Sequence, residues 1–196
     1  MGKLDIVQAG HPVLRARARE VTPEELGDKP LLTLVRTMIE AMRRAPGVGL
    51  AAPQLGIDKR IIVLEDAEKL MLRLTPEERV ARGRVPFPLK VIVNPVLELV
   101  PSDDIVFFEG CLSVRGYSAL VPRVNEVVVR GTDEKGTPLE WRVSGWPARI
   151  LQHECDHLDG TLYIDRMLTR TFGHNDEVGP RWFDLPVAVV REKLGA

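Results

Sequence analysis

The chain has 196 residues, of which 44% are apolar and 28% charged, with a formal net charge of −1. That is the composition of one globular domain spanning 1–196, with a real core and no overall charge to draw it to nucleic acid or to a membrane. No run approaches the ~18 apolar residues of a membrane span, and two cysteines are too few for a disulfide framework, which fits a reducing compartment. The opening Met1-Gly2-Lys3-Leu4-Asp5 lacks an apolar signal region, and Ile6 leaves the Met-Gly lipidation pattern incomplete. Such a start also suits an organellar protein after loss of a transit peptide.

In chain order, Thr22-Pro23-Glu24-Glu25 reads as a short capped turn. Asp28-Lys29-Pro30 then launches a helix with Leu31, Val35, Met38 and Met42 along one face. Arg43 and Arg44 suit its C-terminus, and Ala45-Pro46-Gly47 stops it. A glycine-rich loop follows, then an apolar strand Ile61-Ile62-Val63-Leu64 and a small helix after Thr75-Pro76-Glu77-Glu78. A proline-marked loop runs through Arg84-Val85-Pro86-Phe87-Pro88. Strands are predicted at 91–93, 96–100, 105–108, 127–130 and 139–143, the last two joined by a turn at Asp133-Glu134-Lys135-Gly136. A helix follows, capped by Ser144 and ended by Gly160, then a loop through Gly173 to Pro180 and a last helix over 186–194. No repeat or low-complexity tract interrupts this order. The fold class is α+β, with short antiparallel strands packed around one central helix.

That helix carries the chemistry. Gln152-His153-Glu154-Cys155-Asp156-His157 contains H-E-x-x-H, which stacks two imidazoles one turn apart so that both reach a single metal ion. Glu154 is ~100° round from His153, placed to touch a water beside the ion and to act as general base rather than ligand. The plain alternative is an amphipathic helix whose histidines sit in a polar patch. A catalytic site of this type needs a third ligand. Downstream, Tyr163 stands where a third histidine would be, and Glu177 falls in the expected loop. Upstream, Cys111 follows Gly110, whose bare backbone permits close approach, and it is the candidate; its plain reading is a small buried hydrophobe. Cys155 deserves that plain reading, being ~200° from His153 on the helical wheel.

Gly47-Val48-Gly49-Leu50-Ala51-Ala52-Pro53-Gln54 matches a dinucleotide fingerprint formally, but it follows a helix where that fingerprint requires a strand. It reads instead as a close-packed loop whose backbone can pair with a peptide and whose Gln54 amide can face an oxyanion.

These three stretches, with Glu109-Gly110-Cys111-Leu112-Ser113 as the second, resemble the three motifs of the peptide deformylase family, in the family's order and over roughly residues 5 to 170. The resemblance implies removal of the N-formyl group from the N-terminal methionine of new polypeptides, with release of formate. It implies one divalent metal ion, physiologically Fe2+ and in purified samples also Zn2+, Ni2+ or Co2+, held by Cys111, His153 and His157. Glu154 is then the base for the attacking water, and Gln54 with the Leu112 backbone N–H stabilises the oxyanion. Backbone at Val48, Gly49 and Gly110 pairs with the peptide, and Phe107, Trp146 and Ile150 line the methionine pocket. The implied partners are formylmethionyl nascent peptides and, as a candidate, the ribosome, with no nucleic acid and no membrane. Arg115-Gly116-Tyr117 and Ser144-Gly145-Trp146-Pro147-Ala148-Arg149 depart from the common bacterial pattern, and the latter resembles the mitochondrial and plant subclass. The implied setting is a bacterial cytoplasm or the interior of a mitochondrion or plastid.

Two other classes stay open at this point, a zinc endopeptidase using Glu177 and a metal-stabilised binding module. Arg149, one turn before His153, either steers a carboxylate to the site or makes a salt bridge at the helix start. Arg123 can tie the two ligand stretches together by pairing with Glu109, Asp156 or both; otherwise all three are solvated charges.

Overall fold

Helix α1, Lys29–Arg44, begins where the Asp28 carboxylate accepts the Leu31 N–H at 2.6 Å, with Pro30 in its first turn. Its buried stripe of Leu31, Leu34, Val35, Met38, Ala41 and Met42 has the helical period expected. The computed structural model to which α1 belongs describes residues 5–72 and 74–196; the Met1-Gly2-Lys3-Leu4 opening discussed above lies outside them. Five further helices and strands follow in the first part of the chain: β1, Gly49–Ala51; β2, Ile61–Asp66; α2, Pro76–Ala81; β3, Phe87–Cys111; and β4, Val114–Thr132. After them come β5, Pro138–Ser144; α3, Trp146–Leu158; β6, Gly173–His174; α4, Asn175–Trp182; and α5, Val187–Leu194. No helix among the described residues is long and apolar enough to cross a membrane.

The strands form one antiparallel sheet in the order β1-β2-β3-β4-β5, with β6 added beside β4, so the architecture is α+β. The run Ile61-Ile62-Val63-Leu64 is apolar throughout because both faces of β2 are covered. Ile61 and Val63 pack toward α1 with Leu34, Met38 and Met42, while Ile62 and Leu64 pack toward α3 with Ala148, Leu151 and Leu158. Alternation along an extended chain sends successive side chains to opposite faces, which is how one strand serves two cores.

The three strands expected between residues 91 and 108 are one long strand. Its register against neighbouring strands slips between Val93 and Val96, between Val100 and Asp104, and between Gly110 and Cys111. Pro95 and Pro101 lack the N–H that a ladder needs, so these points read as ends in the sequence and are bulges in the fold. β4 likewise starts at Val114, well before the expected 127.

Two boundaries differ for local reasons. Ser144 does not cap α3, because it still pairs with Glu126 as the last residue of β5. Gly145 takes that place with φ of 68°, lying so close to Gly83 that an added Cβ would meet its carbonyl oxygen at 2.7 Å. The expected loop at 173–180 contains α4, with Pro180 inside it, and the His174 side chain accepts the Asp176 N–H at its start. The small helix after Thr75 has both halves of its capping box, and the Asp133 turn closes on two N–H groups at 2.8 Å.

Candidate active site

Helix α3 runs through the middle of the molecule, and almost all of its residues are buried. One of its faces meets the end of β3, where the Cys111–Val114 pairing turns the chain into β4 and presents the Cys111 sulfur to the helix. The donor atoms of Cys111, His153 and His157 lie within 4.8 Å of one another, and Cys111 Sγ is 3.3 Å from His157 Nε2. Sulfur and nitrogen bound to one tetrahedral ion stand roughly 3.6 Å apart, so these residues fit a single metal with only small adjustment. Burial, together with the charges of His153 and Arg123, holds His157 neutral, well below the ordinary imidazole range. For His153 burial acts in the same sense, but Cys111 and Glu109 outweigh it and raise its proton affinity. A metal competes for that proton, so loading releases it.

Glu154 is buried beside these ligands, and its Oε2 has no hydrogen-bond partner among the described residues. Burial lifts its carboxyl to about 7. Gly49 is the reason that it fits: a Cβ there would stand 2.3 Å from Glu154 Oε1. The first motif therefore needs glycine at this position to admit the carboxylate. Gln54 is fixed at its other end, its Oε1 accepting the Ala51 N–H at 2.9 Å. That aims Nε2 toward Ser113 Oγ at 3.3 Å and Cys111 Sγ at 3.6 Å.

Around the ligands stands a lattice of buried charge. Arg123 donates to both oxygens of Glu109, at 3.1 and 3.0 Å, and to Asp156 at 2.5 Å, so the bridge between the two ligand stretches is present. Glu109 in turn faces His153 Nδ1 at 3.0 Å, which fixes the ring with its other nitrogen toward the site. Burial works against the Glu109 anion, but the His153 hydrogen bond and the Arg123 charge prevail and hold it well below the usual carboxylate range. Arg149 belongs to the same lattice. It pairs with Glu109 at 2.6 Å and caps the carbonyls of Val121 and Ile105, so it forms the salt bridge and does so deep in the protein, not at an exposed helix start. Arg166 closes Asp156 from the other side with two bonds of 2.7 Å. Sequence reasoning missed this arginine, since nothing in its spacing marks it.

A cavity of about 540 Å³ opens onto these groups. It is lined by Val48, Gly49, Gln54, Gly110, Cys111 and Leu112 on one side and by Trp146, Ile150, His153 and Glu154 on the other. Phe107 is the exception among the expected pocket residues. It stands edge-on to Trp146 at 6.1 Å and lines, with Trp146 and Phe108, an adjoining cavity, while Phe108 also lines this one. The second half of β3 has β4 on one side and no strand on the other among the described residues, leaving its edge beside the cavity. Glu177 is remote from this chemistry, exposed on α4 and paired with Arg181. Tyr163 is buried, with its ring stacked on His153 at 6.2 Å and its hydroxyl donating to the Tyr117 carbonyl. Cys155 packs in the core with Ile62 and Leu158, and burial pushes its thiol up to about 12.

Comparison with known proteins adds to this geometry. The sequence pattern described as polypeptide deformylase matches residues 3–172. Peptide deformylase 1A, chloroplastic/mitochondrial, of Arabidopsis thaliana is 51% identical over 191 residues, covering 97% of this chain and 69% of its own. Peptide deformylase 3 of Streptomyces avermitilis is 49% identical over 182 residues, covering 92% and 79%. Among solved structures, a class I type b peptide deformylase from Acinetobacter baumannii, bound to Met-Ala-Ser, superposes with a TM-score of 0.74 at 33% identity, covering 84% of this chain and 98% of its own.

Proposed function

The chain belongs to the polypeptide deformylase family, metal-dependent hydrolases that remove the N-formyl group from new polypeptides, and from that premise we propose how its residues divide the reaction. Cys111, His153 and His157 hold one divalent ion. Two imidazoles and a thiolate accept iron, zinc, nickel or cobalt, and ferrous iron is the physiological choice. When bound, the ion supplies Lewis acidity, lowering the pKa of a water and polarising the formyl oxygen.

Glu154 takes the proton from the attacking water and returns it to the leaving amine. Burial raises the proton affinity of this carboxyl, which suits a group that must both take a proton and give it back. The Gln54 Nε2–H and the Leu112 backbone N–H donate to the oxyanion that develops on the formyl group. Val48, Gly49 and Gly110 pair with the substrate backbone along the open edge of β3. Phe107, Trp146 and Ile150 line the apolar pocket that receives the methionine side chain. The chain works as one domain over 1–196, supported by a single sheet on which its three core clusters pack. Its substrates are formylmethionyl chains emerging from the ribosome, in a bacterial cytoplasm or inside a mitochondrion or plastid; relatives named from both settings support that pair.

The observation that carries this reading is the convergence of three metal donors with a buried, unpaired carboxylate oxygen in the wall of a cavity able to admit a peptide. The test is anaerobic purification with metal analysis, followed by assay on a formyl-Met peptide and on its unformylated twin. Formate release from the first, with the internal bonds of both intact, is expected; cleavage within the chain, or no formate, overturns the reading. Cys111→Ser should lose the metal, because a neutral hydroxyl replaces a soft charged ligand, whereas Cys155→Ser should keep it. Equal loss in both would show that the wrong face of α3 has been chosen.

A further inference from the structure

Beyond the methionine pocket the cavity reaches a rim formed by Arg115, Gly116, Tyr117 and Asn175 on one side and by Pro46 and Gly47 on the other. The rim is built. Gly116 has φ of 84°, and a Cβ there would stand 3.2 Å from His174 Nε2. The Arg115 backbone N–H is held by Gln8 Oε1 at 3.3 Å. Tyr117 stacks on Phe172 at 5.1 Å, with His174 edge-on at 5.3 Å. Arg115 and Tyr117 flank Gly116, in the part of β4 that bulges between the Cys111–Val114 and Gly110–Ser118 pairs, and both line the cavity.

The charge on this rim is one-sided. Arg115 is exposed and has no ion-pair partner among the described residues. The acids that line the cavity are Glu109, already matched by Arg123 and Arg149, and Glu154, which is buried at the cavity floor beside His153 and away from the rim. Asp176, one residue past Asn175, is not part of the cavity lining.

Resting on the deformylase reading, we propose that Arg115 selects substrates bearing an acidic side chain within the two residues that follow the formylmethionine. An extended chain advances ~3.3 Å per residue, so those residues are the ones that leave the methionine pocket and cross the rim. A solvated guanidinium–carboxylate pair contributes modestly, enough for roughly a two- to fivefold preference, and salt weakens it.

The test compares three C-terminally amidated peptides, formyl-Met-Asp-Asp, formyl-Met-Ser-Ser and formyl-Met-Lys-Lys, on the metal-loaded enzyme at low and high salt. The order Asp over Ser over Lys is expected in kcat/KM, carried by KM and compressed by salt. Dissociation constants of the deformylated peptides, read from tryptophan fluorescence, should follow the same order without turnover. Arg115→Glu should invert it. Arg130→Glu, an identical charge change at the other end of β4, should leave it intact. Equal kcat/KM for the three peptides, or an unchanged order in Arg115→Glu, overturns the proposal while the deformylase reading stands. Absence of formate from all three overturns that reading, and the selectivity with it.

Discussion

Two groups of charged side chains on the same strands behave differently because of where they lie. On the outer part of β3, β4 and β5, Arg130 bridges Glu98 at 2.7 Å and Glu140 at 2.6 Å, with its side chain 51% exposed. Toward the other end of β3 and β4, Arg123 bridges Glu109 and Asp156 at similar distances, with its side chain 3% exposed. The first cluster can exchange every bond for water. The second cannot, since a buried charge without a partner is costly and each member depends on the others. What distance alone presents as equivalent is therefore a surface ornament in one place and a frame for the proposed metal ligands in the other.

The largest effect should come from a residue that the frame surrounds and does not bond. Glu154→Gln keeps the shape of the side chain and removes its capacity to carry a proton, so it should retain metal while kcat falls by about two to four orders of magnitude. Metal content and formate release measured on one preparation check this; turnover within about tenfold of wild type would remove Glu154 from the chemistry. Breaking the frame itself comes next. Arg123→Ala should lower metal affinity by about ten- to a hundredfold without touching a ligand. It should also destabilise the fold by about 3 kcal/mol, because Glu109 and Asp156 lose their shared partner. Arg123→Lys should recover only part of this, since one ammonium does not span two carboxylates as a guanidinium fork does. Metal competition titrations and urea melts separate these losses, and unaltered affinity in Arg123→Ala would show that the lattice is structural alone.

The candidate ligands and the proposed base were legible because H-E-x-x-H is local: five consecutive residues on one helix define both rings and the carboxylate between them. Cys111 was legible only through its motif, since its approach to α3 depends on the β3–β4 turn. Arg123 could be guessed from three charges flanking the ligand stretches. Arg166 and the inward course of Arg149 could not, because their partners are set by tertiary packing. In the fold, α1 and the Thr75 helix were legible from cap and stripe together. The continuity of β3 was not, because Pro95 and Pro101 carry the same signal whether the chain ends a strand or bulges within one. Phe107 was placed by resemblance; it stands against Trp146 in a cavity that Phe108 shares, an arrangement set by packing between β3 and α3 and not by spacing.

Between the two extremes lies Glu25, which accepts from Arg19, Lys59 and the Thr22 N–H. Those hydrogen bonds, that from Arg19 foremost, hold its carboxyl down at about 2. A depressed carboxylate contributes its stability in full above its unfolded pKa of about 4.3 and loses it as pH falls toward the folded value. Wild type should therefore exceed Glu25→Gln in Tm at pH 6, and the gap should close between about pH 4.5 and 2. A gap that stays constant over that window would mean that the pair contributes through packing and not through charge.

The smallest effect tests the comparison from its other side. Arg130 has two carboxylates within hydrogen-bond distance and its proton is held more firmly than in a free arginine, the Glu98 hydrogen bond leading. Like Arg123, it bridges two carboxylates. Water, however, replaces each of its bonds at little cost, and ordering three long side chains offsets much of what the pairing gains. Arg130→Ala should shift stability by less than about 1 kcal/mol, and less still in molar salt, with metal affinity and turnover unchanged. Paired urea melts of Arg130→Ala and Arg123→Ala at low and high salt read the contrast directly. Equal losses in the two variants would mean that burial does not separate the clusters, and the account of Arg123 as the frame of the metal site would fall with it.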